Sequence, residues 1–200
     1  MENSRITLNG KPYFLKGVLD QGFWPDGIYT PPTDEAIQND VMTTKSFGFN
    51  LARKHVKVED PRWYYWCDRL GLLVAQDMPS SHNLQSVAAK DNFIQEWSDV
   101  MESVRAHPSV IIWVTFNENW GDPKEFQDTV VDLTRVSDST RLIIDASGWD
   151  QRSHTDITDI HDYSNELSKH ANAHPVRTTW VGHSGTDSPH HRAQPESRCA

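Results

Sequence analysis

A chain of 200 residues is long enough for one domain with a sizeable core, or for part of a larger one. Its formal charge of −9 argues against nucleic acid or an anionic membrane surface as partner. Eight tryptophans are enough to offer stacking platforms for sugar rings, although tryptophan also fills cores. No apolar segment is long enough to span a bilayer, and Met1-Glu2-Asn3-Ser4 does not begin a signal peptide, so no membrane partner is expected; the location is left open, with the cytoplasm slightly favoured. Cys67 falls on an apolar helix face and reads as a buried free thiol; with Cys199 far away in sequence, no disulfide framework is expected.

In chain order, Ile6 to Leu8, the turn Asn9-Gly10-Lys11-Pro12 and Tyr13 to Val18 read as strand, tight turn and strand. A polar and aromatic loop follows, with Asp20, Phe23, Trp24 and Tyr29. Thr33 is an N-cap candidate, with Asp34 and Glu35 matching the dipole of a helix that runs to about Phe47. Phe49 to Val56 is a second strand carrying Arg53 and His55 near its end, with His55 read as a local hydrogen-bonding residue. Asp60-Pro61 opens a helix whose Trp63, Trp66, Cys67 and Leu70 share one face, and Gly71 closes it. Leu72 to Ala75 is a third strand, ending in Gln76-Asp77. Phe93, Trp97, Val100, Met101 and Val104 mark a third amphipathic helix, ended by His107-Pro108. Asp122-Pro123-Lys124-Glu125 reads as a capping box for a fourth helix. Leu142 to Asp145 and Ile157 to Ile160 read as fifth and sixth strands, and Thr178 to Val181 as a seventh. Residues 186–200 lack periodicity and are expected to form an irregular or disordered tail, leaving 1–185 as the domain.

The stretch from Pro108 to Asp122 organises the rest. Val110 to Phe116 is apolar on both faces, as in a parallel strand covered by helices, and its C-terminal end turns abruptly polar at Asn117-Glu118-Asn119, followed by Trp120. Repeated strand–helix alternation implies an α/β fold of parallel βαβ units. Polar or aromatic residues close almost every strand: Asp20, Arg53, Asp77, Asn117 with Glu118, Trp149 and His161. An open sheet collects ligand groups at one switch point, whereas a barrel gathers them from many strand ends around one mouth. With no glycine-rich phosphate loop after the first strand, the pattern favours a partial (β/α)8 barrel of six to seven strands.

These segments also carry a resemblance. Asn9-Gly10-Lys11-Pro12 through Gly17-Val18, Ala52-Arg53 with Cys67-Asp68-Arg69-Leu70-Gly71-Leu72, and His107-Pro108-Ser109-Val110-Ile111-Ile112-Trp113 into Asn117-Glu118 resemble the catalytic TIM barrel of glycoside hydrolase family 2, which includes β-galactosidases, β-glucuronidases and β-mannosidases. The resemblance covers roughly residues 5 to 165. It implies a retaining glycosidase acting on a β-glycoside, with flanking β-sandwich domains and the rest of the barrel in the full-length protein. Glu118 then matches the general acid/base and Asn117 the residue that hydrogen-bonds the sugar 2-hydroxyl. Arg53 matches an arginine beside the nucleophile, and Trp149 and His161 fall where the sugar subsite is lined; Asp20 and Asp77 are further candidates for substrate contact.

The chemistry sets these demands. Cleaving an acetal needs one acid to protonate the departing oxygen and one carboxylate to attack the anomeric carbon, about 5 to 5.5 Å apart in retaining enzymes. The acid must keep its proton near neutral pH, which partial burial and a neighbouring carboxylate achieve. The expected nucleophile turn aligns with Trp180-Val181-Gly182-His183-Ser184-Gly185, where His183 stands in the place of the glutamate. A histidine cannot readily form and release a glycosyl intermediate as a carboxylate does. The expectation is therefore a truncated or frame-shifted glycosidase with impaired or no activity, or a carbohydrate-binding remnant. His183, His190 and His191 do not make a convincing metal set, since adjacent histidine rings diverge and no HExxH or cysteine-rich pattern is present; neither metal nor cofactor is expected.

Overall fold

The computed structural model describes residues 6–80, 83–119, 123–148, 151–152 and 154–161. The chain opens with a two-stranded antiparallel hairpin, β1 (Thr7–Leu8) and β2 (Lys11–Pro12). Its turn residues Asn9 and Gly10 both have positive φ, as the twist of a two-residue hairpin loop requires. The second strand does not run on from Tyr13. The next strand, β3 (Gly17–Asp20), begins a separate sheet with β4 (Leu51–Lys54), β5 (Leu73–Asp77), β6 (Val110–Asn117) and β7 (Leu142–Ser147).

These five strands pair in chain order, β3-β4-β5-β6-β7, and every pair is parallel. A doubly wound sheet would reverse its strand order at a switch point; an unbroken succession is an arc of a barrel. Helices α1 (Asp34–Ser46), α2 (Pro61–Leu70), α3 (Val87–Val104) and α4 (Lys124–Ser137) occupy the crossovers. Their starts follow capping chemistry: the Thr33 Oγ1 accepts from the Ala36 N–H, Asp60 accepts from the Arg62 N–H, and the Ser86 Oγ accepts from the Ala89 N–H. Helix α3 thus starts six residues ahead of Phe93, the first residue of its apolar stripe, because Ser86 and the helix-forming Ala88-Ala89-Lys90 extend it into solvent. Helix α4 begins at Lys124 with no side-chain cap from Pro123, and Asp122 of the expected capping box lies outside the described residues.

Two cores result. Between sheet and helices lie Ile37, Val41, Trp63, Cys67, Phe93, Trp97, Trp113, Phe116 and Val130, among others. Trp97 meets Trp113 edge-on with ring centroids 5.7 Å apart, and their indole N–H groups donate to Thr134 and Asp138. On the inner side Leu51, Ala75, Ile112, Val114, Ile144 and Ile157 make a small aliphatic floor. Cys67 is fully buried and unpaired, and burial is the main cause that pushes its thiol pKa up.

The sixth strand expected at Ile157 to Ile160 does not form. The segment before it satisfies the free edge of β7 with side chains: the Ile143 N–H donates to Asp156 Oδ2 at 2.9 Å, and the Asp156 N–H and the Thr155 hydroxyl both donate to the Ile143 carbonyl. Asp and Thr side chains compete with a ladder in this way, so Ile157 reaches the inner core from an irregular segment. Thr178 to Val181 and the tail lie outside the described residues. Among the described residues, no helix is long and apolar enough to cross a membrane.

Candidate active site

The polar cluster lies directly above the inner floor, at the carboxyl ends of β4 to β7. Strand alternation places Arg53 two residues beyond Leu51, and Asp77 two beyond Ala75, so both side chains continue the inward rows. Arg53 is 1% exposed and uses its whole fork. Its Nε–H donates to Asp77 Oδ1 at 3.0 Å and one Nη2–H to Asp77 Oδ2 at 2.8 Å; the other contacts are Asn117 Oδ1 at 2.9 Å, Ser147 Oγ at 2.6 Å and His161 Nε2 at 3.1 Å. Burial opposes the charge on Arg53, but Asp77 above all, with Asp159 and Glu118, outweighs it and raises the guanidinium pKa. Asp77 also accepts the Val56 N–H at 3.2 Å and is 1% exposed. It is the buried counter-ion of Arg53, a different position from the substrate contact expected of it.

Glu118 follows the last residue of β6. Its backbone has φ of +45°, a left-handed conformation uncommon outside glycine. Its N–H still donates to the Ser147 carbonyl at 2.9 Å, so the chain leaves the sheet without losing that bond. The Glu118 Oε1 lies 2.6 Å from His161 Nδ1. The other ring nitrogen, Nε2, lies 2.9 Å from Ser147 Oγ and faces Arg53. Ser147 in turn donates to Asp159 Oδ2, and the Gly148 N–H donates to Asp159 Oδ1 at 3.1 Å. Burial dominates at Asp159 and raises its pKa despite those bonds and the nearby Arg53.

The structure therefore brings Glu118, Asn117, Arg53, Asp77 and His161 into one connected group. It does not bring Asp20 there. Asp20 accepts from the Lys54 ammonium at 2.6 Å and from the Gly22 N–H at 2.8 Å, and joins a separate network with Lys57 and Glu59. His55 contacts the Gln21 amide at 3.0 Å and also hydrogen-bonds with the Asn117 side chain, so it borders the group itself. Burial chiefly lowers the His55 pKa. Trp149, Trp120 and His183 lie outside the described residues. Ser147 and Asp159 were not singled out from sequence. Asp159 could have been found as the residue two before His161 on an alternating segment; Ser147 carried no such signal. Among the described residues no group of three or more His, Cys, Asp or Glu side chains is arranged to hold a metal ion.

A carboxyl group at the mouth held against an imidazole can transfer a proton, and an amide whose oxygen is fixed by a buried guanidinium presents its N–H2 as a donor. Comparison with known proteins bears on this. Residues 1–181 match the family model described as glycosyl hydrolases family 2, TIM barrel domain. The chain is 30% identical over 200 residues to a beta-galactosidase of Lactococcus lactis, covering 94% of this chain and 20% of that protein. Among solved structures it is similar to beta-glucuronidase 3 of Bacteroides uniformis, with TM-score 0.72 and 25% identity over 80% of this chain and 22% of the other. It is also similar to a beta-galacturonidase of Eisenbergiella tayi bound to galacturonate, with TM-score 0.66 and 25% identity over 71% of this chain and 27% of the other. The chain spans about a fifth of the length of the first two of these relatives. With the parallel arc, the polar group at its carboxyl end and the family match in agreement, the chain belongs to glycoside hydrolase family 2, a family of glycosidases, and carries part of its TIM barrel.

Proposed function

We propose that this chain supplies the acid/base half of a retaining glycosidase acting on β-glycosides, with Glu118 as the proton donor. The observation that carries the reading is the placement of Glu118 at the carboxyl end of β6, its Oε1 2.6 Å from His161 Nδ1 and its neighbour Asn117 pinned by buried Arg53. In the first step Glu118 protonates the departing oxygen; in the second it takes a proton from water, so one side chain serves both half-reactions. Arg53 orders Asn117, whose side-chain oxygen it holds, leaving the amide N–H2 as the group for a sugar hydroxyl. Relatives named as beta-galactosidase and beta-glucuronidase support β-galactosides and β-glucuronides as the substrates to try first. The chain spans about a fifth of the length of those relatives, and we further propose, as the family resemblance implies, that the working enzyme includes further barrel and β-sandwich segments.

The test is turnover of aryl β-galactosides and β-glucuronides by the working enzyme that contains this chain, and by the same enzyme carrying Glu118→Gln. The variant should lose about 10²- to 10⁴-fold with a poor leaving group and much less with a dinitrophenyl one, which departs without help from an acid. Equal loss with both, or none with either, refutes the assignment. A second reading, a sugar-binding remnant without turnover, is favoured by His183 in the sequence position expected for the nucleophile. It predicts calorimetric binding of the free sugar, no turnover, and some turnover after His183→Glu.

A further inference from the structure

His161 is read from sequence as a sugar ligand, but both of its ring nitrogens are engaged by protein: Nδ1 by Glu118, and Nε2 by Ser147 and Arg53. The two ends are not equivalent. An arginine N–H can only donate, so the guanidinium hydrogen directed at Nε2 requires a lone pair there. A neutral imidazole with a lone pair on Nε2 carries its hydrogen on Nδ1, and that hydrogen then points at Glu118 Oε1. This is the opposite of the tautomer that histidine prefers in water.

Three neighbours build the seat. Ser147 Oγ accepts one Nη1–H of Arg53 at 2.6 Å and gives its own hydrogen to Asp159, so it offers Nε2 no hydrogen; it acts by fixing the Nη1 group whose other hydrogen meets Nε2. Asp159 is 2% exposed and is fixed by the Gly148 N–H and the Gln151 amide. Gly148 makes room: a Cβ there would overlap the His161 ring at Cγ, Nδ1 and Cδ2, and its φ of +86° disfavours any other residue. The charged and titratable groups around the ring are Glu118 from the end of β6, Arg53 with its counter-ion Asp77 from β4 and β5, His55 beyond them, and Asp159 from the segment that carries His161 itself.

We propose that Ser147, Gly148 and Asp159 form a seat that, with Arg53, holds His161 as its Nδ1–H tautomer, and that His161 is a positioning residue for the Glu118 carboxyl group. The inference rests on the reading of Glu118 as proton donor. The Nδ1–H occupies one lone pair of Oε1, so the proton bound for the leaving group is carried on Oε2. The carboxyl group is thereby held in one orientation, as a carboxyl that must act as acid and then as base requires.

The test uses the full chain with ¹⁵N-labelled histidine and long-range ¹H–¹⁵N correlation, with the His161 signals identified by their loss in His161→Asn. The expected result is the Nδ1–H pattern in the unaltered chain. In Arg53→Lys, which takes the donor away from Nε2 and leaves the Ser147 oxygen beside it, and in Gly148→Ala the pattern should move towards Nε2–H, while the signals of His107, held separately by Asp68 at 2.6 Å, stay in place and report an intact fold. Kinetics supply the second arm. His161→Ala should lower kcat by about 10- to 100-fold with little change in KM, as a small misplacement of a catalytic group does. His161→Asn, whose amide nitrogen can stand at the Nδ1 position, should lose less. An Nε2–H pattern in the unaltered chain overturns the proposal, as does a spectrum indifferent to both seat variants, or a His161→Ala variant that raises KM alone. An inactive chain with the Nδ1–H pattern sinks the hydrolase reading and leaves the seat standing.

Discussion

Replacing Arg53 by alanine should destabilise the fold by about 3–5 kcal/mol, the usual cost of stranding one partner of a buried ion pair. The structure places the change near the upper end. Arg53 and Asp77 are each 1% exposed, and all five guanidinium hydrogens have acceptors on four residues from four other parts of the chain. Alanine leaves Asp77 charged and buried, with only the Val56 N–H among these partners, and releases Asn117, Ser147 and His161 together. Lysine keeps the charge but offers three donors in place of five and no planar fork, so Arg53→Lys should still cost about 2–3 kcal/mol. The assay is urea unfolding followed by tryptophan emission, comparing midpoints at constant slope. In a thermal melt the alanine variant should fall by on the order of 10 °C, at about 2–4 °C per kcal/mol for a chain of this size. The cycle with Asp77→Ala is the sharper measure. If the buried charge is the cause, the double variant should be less destabilised than the sum of the singles by at least about 1.5 kcal/mol. A loss below about 1 kcal/mol in Arg53→Ala, or strict additivity in the double variant, refutes the reasoning.

Two further expectations concern groups away from the mouth. Burial works to raise the Asp138 pKa, but hydrogen bonds from Thr140, Arg141 and Trp113 outweigh it and hold the carboxyl well below its usual 3.8. A depressed carboxylate contributes stability above its unfolded pKa and loses it as the pH falls through the folded one, so Asp138→Asn should be less stable at pH 7, with the gap closing below about pH 4; a gap independent of pH would contradict this. Cys67 is fully buried and its thiol pKa is raised chiefly by burial, so peptide mass mapping should find it unmodified by a thiol reagent in native buffer and modified in denaturant. Modification at the rate of a free cysteine in native buffer would refute the packing of α2.

How much of this was legible in the sequence depended on whether alternation held. Arg53 and Asp77 follow Leu51 and Ala75 at a spacing of two, so the rule that side chains alternate across a strand places them correctly. In β6 and β7 the rule breaks at matching places. Val114 and Ile144 belong to the inner floor, yet Phe116 and Ala146, two residues on, join the helix-side core, while Asn117 and Ser147, three residues on, reach Arg53. A strict period of two would have faced Phe116 and Ala146 into the mouth and turned Asn117 and Ser147 away. Asn117 was still found because it adjoins Glu118 in a recognisable motif; Ser147 had no such help. Phe116 is drawn outward by Phe93, on which its ring stacks at 5.0 Å between centroids, and by Phe126, which it meets edge-on at 6.3 Å, and no reading of β6 alone contains those partners. The sixth strand failed for a related reason: Thr155 and Asp156 look like a turn before a strand, but their side chains satisfy the β7 edge that a strand would have used.

Around one guanidinium stand three carboxyl groups: Asp77 takes its fork, while Asp159 and Glu118 meet it through Ser147 and His161. Of these, Asp159 has its pKa raised by burial, against the hydrogen bonds from Ser147 and the Gly148 N–H and the charge of Arg53. Replacing Asp159 with alanine would remove an acid yet leave Ser147 without its acceptor, so its effect on the pH dependence of turnover and on the orientation of His161 should separate: Asp159→Asn, which keeps an acceptor for Ser147 and abolishes only the titration, isolates the first from the second.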